Sequence, residues 1–518
     1  MAQTSLSRLQ NLIIKLEKEN VKLRDLLNER KEKQENAENQ LYYYKKNIET
    51  IVKNAVNKAV EQLINENQQL KLENQRLKSI LNNSSENSGL PTSKTPIDKE
   101  KRVPNSRIKS EKSKGGQVGH KKNKLERFKE NEITDTCIHE VVRCTCGCEK
   151  LKDLGVRTTK DLFDVNIRLM KIRNEFHTYK CARCGKIIES PVPLNLKEEN
   201  QYGENVQALA LSLVNEGYVS YHRTKELISG FTGGELTMSE GYIVKLQKRC
   251  YDKLSNFDNE IKKSLLKEKV INWDDTVINI DKKQGCLRFY GTNEIAFYVA
   301  HEKKNKEGLD EDGILKNLSK DTVVVHDHNK VNYNDEYEFT NAECCVHLIR
   351  DLKKVQENLN HNWTNQLINL LIETNNKRKE YINSSIMYFD QEVSDKVSIE
   401  YDKIILQAKE ENRKDFSKYY GNEEKTLIKR LIDYKENYLL WVLRFDVPFS
   451  NNLSERSLRS SKTKMKVSGQ FSNLKNAEYF ARIKTYIETC KRNNKNVHEA
   501  LVKLISDNPY TVDELLNN

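Results

Sequence analysis

Residues 270–280 read VINWDDTVINI, a run of apolar and β-branched side chains with two adjacent acids, Asp274 and Asp275, at its centre. Valine and isoleucine pack well on a pleated surface, so the run reads as a buried strand. A carboxylate is costly to bury unpaired, and charge in the middle of such a strand therefore has a task. Side chains alternate across a strand, so only one of the two acids faces a given side. Downstream, CLRFYGTN (286–293) and EIAFYVAHE (294–302) read as two more strands of a meander, Gly308 to Leu318 as a helix, and TVVVHD (322–327) as a fourth strand. That fourth strand delivers Asp327 at its carboxyl end, between His326 and His328.

A third acid stands apart from these two in sequence. Val447 to Phe471 read VPFSNNLSERSLRSSKTKMKVSGQF, with Glu455 as the one acid beside Asn451 and Asn452, followed by Arg456, Arg459, Lys462, Lys464 and Lys466. Asn452 or Ser454 can cap a helix here, which puts Glu455 in the first turn, where the helix dipole favours an anion. Arg456 and Arg459 then share a face and can address one run of phosphates. A solvated amphipathic helix with outward basic residues accounts for this stretch equally well when it is taken alone. Acids on two neighbouring strands plus one on a later helix are, however, the set that two-metal phosphoryl transfer uses. Two divalent ions about 4 Å apart activate the attacking oxygen and stabilise the leaving one, and hard cations demand oxygen ligands.

Three stretches carry a resemblance: VHDHNKVNY around Asp327, CCVHLIRDL at 344–352, and NNLSERSLRSSKTKMKVSGQF around Glu455. They resemble, nearly residue for residue, the transposases of the insertion-sequence-66 family, and the likeness runs from the amino-terminal segment to about residue 490. The resemblance implies a ribonuclease-H-like core with an Asp-Asp-Glu triad, Asp274, Asp327 and Glu455, holding Mg2+ or Mn2+. Asp274 rather than Asp275 is assigned by that resemblance, because most relatives have glutamate at the second place. Strand, strand, strand, helix, strand is the ribonuclease-H order, in which the first and fourth strands lie side by side. His347 and Arg350 match the His-x-x-Arg of the family motif and take a cationic role near DNA; Glu343 and Asp351 are expected in ion pairs, and His326 and His328 as packed residues or phosphate contacts. Arg456, Arg459, Lys462, Lys464 and Lys466 are expected on the phosphate backbone. The implied function is a DNA transposase of a bacterial insertion sequence that cuts DNA ends and transfers the strand. The alternatives are a catalytically inactive or accessory DNA-binding dimer derived from a transposase, and a structural coiled-coil protein. No nucleophile motif of a serine or tyrosine recombinase is recognised.

Composition agrees with a large DNA-handling chain. Its 518 residues are 32% charged with a net charge of +12, and the mean hydropathy is −0.79. That is long enough for several domains, with part of the chain in extended helix rather than core. The positive balance suits a polyanion. No run reaches the length of a membrane span and MAQTSLSRLQ lacks an apolar signal core, so a cytoplasmic protein without a membrane partner is expected. In that reducing compartment the 11 cysteines serve metal binding or burial rather than disulfides.

The amino-terminal part repeats in sevens. Leu6, Ile13, Asn20 and Leu27 share one seam with Leu9, Leu16 and Leu23 at the other, and a second run places Val56, Leu63, Leu70 and Leu77 opposite Val60, Asn67, Asn74 and Leu81. Narrow apolar stripes of this kind pair with a second chain, as a homodimer or higher, or fold back as a hairpin. Serine, asparagine, proline and then lysine take over after Leu81, a linker that cannot bury enough surface to fold. It serves as a spacer or as a salt-sensitive hold on the DNA backbone. Cys181 and Cys184 form a C-x-x-C followed by Gly185, the turn that lets two thiolates share a zinc. Cys144, Cys146 and Cys148 offer the other two of four ligands, at one-residue gaps where related transposases carry a second C-x-x-C.

The expected organisation is a multidomain α+β chain. Residues 1–82 form the dimerising coiled coil, 83–130 the basic disordered linker, and 131–200 a zinc-ribbon-like β module. Residues 201–268 form a helical, DNA-binding-like region in which a helix-turn-helix would present Lys245, Lys248 and Arg249. The catalytic core occupies 269–352 and 441–518, with C-terminal helices, and an all-helical insertion of 353–440 separates its two parts. Double-stranded DNA, as transposon ends and target, is the expected partner, with further element-encoded proteins as additional ones.

Overall fold

The computed structural model describes residues 2–81, 125–165, 167–193 and 195–517. The linker of 83–130 lies outside the described residues as far as 124. Helix α1 (Ala2–Leu81) is a single unbroken helix that carries both heptad runs. The seam residues Leu16, Leu23, Leu63 and Leu70 are all exposed, and the hairpin alternative does not occur.

Strands β1 (Thr178–Lys180) and β2 (Ile187–Glu189) form an antiparallel hairpin whose turn contains Cys181 and Cys184. Among the described residues, none from 125 to 200 belongs to any of the four buried apolar clusters. The helices α2 (Glu204–Asn215), α3 (Tyr221–Phe231), α4 (Glu240–Lys253) and α5 (Ser255–Leu265) follow, with Ser220 and Ser239 capping α3 and α4 through their side chains. They do not stand apart as a separate unit. Leu211, Leu246 and Phe257 share one core with sheet residues Trp273 and Val324.

The sheet contains β3 (Val270–Ile280), β4 (Lys283–Gly291), β5 (Ala296–His301), β6 (Val323–His326) and β7 (Thr340–Glu343), with α6 (Lys306–Asp312) between β5 and β6. Its spatial order is β5-β4-β3-β6-β7. The first three strands are antiparallel, whereas β6 and β7 run parallel to β3. Val323 and Val325 turn to one face and Val324 to the other, the double coverage typical of parallel strands and the reason their sequences are apolar throughout.

The helices α7 (Cys345–Leu359), α8 (Asn362–Asn383), α9 (Gln391–Lys414), α10 (Lys418–Asp433) and α11 (Lys435–Leu443) form the block expected as an insertion. Leu367, Leu371 and Ile372 are buried there, in a core shared with Val323, Val325 and Ala342 of the sheet. The last turns of α1 rest on this block, with Tyr420 Oη donating to the Gln75 carbonyl over 2.8 Å. The chain then returns to the sheet through α12 (Asn452–Ser468) and α13 (Leu474–Arg492), and ends in α14 (Val497–Ile505) and α15 (Val512–Leu516). On β5, the amides of Ala296 and Tyr298 donate to the hydroxyls of Thr489 and Thr485 on α13. The open edge of the sheet is closed in this way. No helix among the described residues is long and apolar enough to cross a membrane.

Candidate active site

Strand register brings the first two acids level. Val270, Ile271 and Asn272 pair with Val323, Val324 and Val325, and the same offset carried two residues further sets Asp274 beside Asp327. On the next strand His326 pairs with Glu343, so the row continues to Cys344, the residue that opens α7. Alternation separates the two acids of β3. Asp275 faces away and pairs with Lys304 at 2.7 Å, while Asp274 is on the face of Asn272, against the start of α12.

That start is fixed by Asn451. Fully buried, it donates from Nδ2 to the Trp273 carbonyl at 2.8 Å and accepts at Oδ1 from Asn272 (2.9 Å) and Ser454 (3.0 Å). Its backbone N–H donates to Cys344 Sγ at 3.2 Å. The cap is therefore Asn451, one residue before Asn452 and three before Ser454, and this asparagine bonds to β3 as well as to the Ser454 hydroxyl of its own first turn. Glu455 follows one turn later and faces the strand ends.

His347 is the meeting point. Its Nδ1 lies 2.8 Å from Asp327 Oδ1 and 3.3 Å from Cys344 Sγ; its Nε2 lies 3.6 Å from Glu455 Oε1 and 2.7 Å from Arg350 Nη1. Arg350 and Arg459 also approach Glu455, at 3.6 and 3.2 Å. Burial lowers the His347 pKa, and Asp327 with Cys344 more than offsets it. The Arg350 guanidinium opposes charge on the ring, but contact with a carboxylate keeps a proton on Nδ1 in either state. Burial first, and the negative charge of Asp327 second, push the Asp274 carboxyl up to about 7, as desolvation and a neighbouring like charge do.

Asp327 and Glu455 both approach His347, and the charge of Asp327 acts on Asp274, but the three carboxylates do not form one group within ligand distance. Among the described residues, the only His, Cys, Asp and Glu ligand atoms that group within 4.8 Å of one another are those of Asp327, Cys344 and His347. Glu455 Oε1 is buried with no aligned hydrogen-bond donor, and Asp327 Oδ1 has the His347 ring as its neighbour at 2.8 Å. Carboxylate oxygens so poorly supplied with donors fit a hard divalent cation.

The flanking residues divide. His326 and His328 turn to β7, His326 Nε2 to Asn341 Oδ1 and His328 Nδ1 to Glu343 Oε1, each at 2.7 Å. Glu343 is thereby paired, and Asp351 pairs with Arg430 at 2.5 Å. Arg456, Arg459, Lys462 and Lys466 are exposed along α12. Lys464 is not: it is 5% exposed with Nζ 5.6 Å from the Tyr221 ring, and burial lowers its pKa to about 8. A phosphate contact fails for Lys464 because α12 turns that side of the helix onto α3. In the amino-terminal helices Lys248 pairs with Asp252, and Arg249 with Gln207 and Tyr242.

The chain matches the Transposase IS66 family over residues 199–479, more than half its length. The chain belongs to that family. No curated protein matches it in sequence. The match contains every residue of the site just described, and a transposase acts on DNA. In this transposase, sequence reasoning passed over Asn451 as a cap and Cys344 as a plain buried thiol. The doubled asparagine of NNLSER was the available signal for the first, and the C-x-x-H spacing of Cys344 and His347 for the second.

The cysteines of the hairpin region do not assemble into a four-ligand site. Cys181 and Cys184 share a tight turn in which the Gly185 and Cys181 amides close on Cys181 and Lys186 carbonyls, and hydrogen bonds from Cys184 and Arg183 lower the Cys181 pKa. Cys144 is lowered similarly by Cys146 and Thr145 in a separate turn.

Proposed function

We propose that the transposase is an Asp-Asp-Glu polynucleotidyl transferase, with Asp274, Asp327 and Glu455 as the acids that hold two divalent cations, magnesium or manganese. The observation that carries this reading is the convergence on His347. Asp327 from a strand end and Glu455 from a distant helix touch opposite nitrogens of one ring, with Asp274 in register beside them. The sheet order, with β3 between an antiparallel pair and a parallel one, supports a ribonuclease-H-like core. Bound cations would there activate the attacking oxygen and stabilise the leaving one.

The chain's own residues set the geometry. Asn451 ties the start of the Glu455 helix to β3, and Arg350 and Arg459 flank the glutamate at 3.6 and 3.2 Å. Arg456, Arg459, Lys462 and Lys466 form an exposed basic face on the same helix, suited to the phosphates on either side of the cut bond. Cleavage by water leaves a 3′ hydroxyl, and the same site directs that hydroxyl to a target phosphate. No enzyme–DNA covalent bond is formed.

The hairpin cysteines serve a structural zinc in this reading, because residues 125–200 contribute nothing to a core and small modules of that kind need a staple. The exposed seams of α1 join a second copy of the chain. The test of the catalytic reading is incubation of the purified full chain with DNA carrying the element's ends and magnesium. Wild type should cut and join the ends while Asp274→Asn does neither; binding without cleavage by wild type would leave an accessory DNA-binding protein.

A further inference from the structure

The fold brings a second and chemically different donor set to the same place. Cys344 Sγ, His347 Nδ1 and one Asp327 oxygen lie within 4.8 Å of one another, with Nδ1 at 3.3 Å from the sulfur and 2.8 Å from the carboxylate. Around a tetrahedral ion with Zn–S, Zn–N and Zn–O bonds of about 2.3, 2.1 and 2.1 Å, such atoms stand roughly 3.3–3.6 Å apart, so only small shifts are required. A thiolate and an imidazole do not suit magnesium; they select a borderline-soft ion such as zinc. We propose that Asp327, Cys344 and His347 form a three-ligand transition-metal site, with water in the fourth position, whose occupation by zinc takes Asp327 away from the magnesium centre and switches the transposase off.

The surroundings are built for such an ion. Cys344 is almost wholly buried, and the Asn451 amide donates to its sulfur, the type of outer contact that tunes a metal-bound thiolate. His347 presents Nε2 to Arg350 and Glu455, so its orientation is held when Nδ1 becomes a ligand. Zinc entry displaces the Nδ1 proton and the thiol proton, both to solvent. The neighbouring Cys345 points elsewhere, to the Tyr438 carbonyl, and provides an internal control.

The site itself is an independent observation, whereas its inhibitory effect rests on the catalytic reading above. The test has two arms. In the first, cobalt is titrated into the full-length wild type, Cys344→Ser, His347→Gln and Cys345→Ser, and the equivalents giving thiolate-to-cobalt charge-transfer absorption are counted. Wild type and Cys345→Ser should bind one equivalent more than Cys344→Ser or His347→Gln; equal binding by all four overturns the site. In the second arm, zinc is titrated into magnesium-dependent cleavage. With the cleavage of each protein normalised to its own zinc-free rate, Cys344→Ser should require about 10- to 100-fold more zinc for half-inhibition; unchanged zinc sensitivity overturns the regulatory role. Should wild type show the extra cobalt equivalent yet never cleave, the site stands and the catalytic reading falls.

Discussion

Asn451 links the sequence to the site at the scale of a single residue. Four polar contacts converge on it, from Trp273, Asn272, Ser454 and Cys344, and none is with solvent. Asn451→Ala leaves a buried strand carbonyl and a buried amide without partners, at about 1–3 kcal/mol. It also frees the start of α12, so cleavage should fall by roughly 100-fold, since displacement of a catalytic group by about 1 Å costs that much. Chemical denaturation and a cleavage time course on the same preparation measure the two effects; full activity would show that Glu455 is positioned by something else. Lys464 supplies a pH prediction. Its pKa falls from 10.5 to about 8 on folding, so the folded chain is penalised while the lysine is charged, and stability rises with pH between those two values. Lys464→Met should therefore stabilise the protein by about 1–3 kcal/mol at pH 7, a gain that fades as the pH passes about 10. A stability difference that does not change with pH would contradict it. Part of this level was legible beforehand: charge inside VINWDDTVINI marked the pair Asp274 and Asp275, and the choice of Asp274 between them came from the family resemblance. The burial of Lys464 was not, because its basic neighbours conceal which side of the helix packs.

Elements were legible where period and composition agree. The meander, the crossover and the strand ending in Asp327 follow from alternating apolar runs broken by turns. The heptads of α1 were legible too, but not their continuity across the polar middle of the helix. Sequence also divided the chain too sharply. Residues 201–268 and 353–440 read as separate helical units, yet both pack their apolar faces on the two sides of one sheet, a tertiary pairing that helical periodicity does not encode. Two predictions belong here. Exposed leucines along α1 should hold two copies together, so Leu16→Glu with Leu23→Glu should lower the mass measured by light scattering, and an unchanged mass would remove α1 as the dimer contact. Purified protein should contain one zinc per chain more than Cys181→Ser with Cys184→Ser, as read by elemental analysis; an equal zinc content in that variant would show that these cysteines hold no metal.

At the scale of the whole molecule, the basic face of α12 lies beside the acids, with Arg459 paired to Glu455 at 3.2 Å. In the proposed mechanism, DNA held there would deliver a phosphate to the cations and give Arg459 a new partner. Neutralising Arg456, Lys462 or Lys466 should weaken binding to all sequences alike and reduce the salt slope by about one phosphate each. A change restricted to one sequence would assign these residues to base recognition. The helical block between Asp327 and Glu455 lengthens the chain path between them without separating them, because α7 begins at the strand ends and α12 returns there. The central claim is that the three acids work as one cation-binding centre. Its most direct measurement is magnesium-dependent cleavage and joining of the element's ends by wild type, Asp274→Asn, Asp327→Asn and Glu455→Gln, with DNA binding followed in parallel. Each variant should bind DNA as wild type does and fall to the level seen with a chelator, while retained cleavage in any of the three would contradict the shared centre.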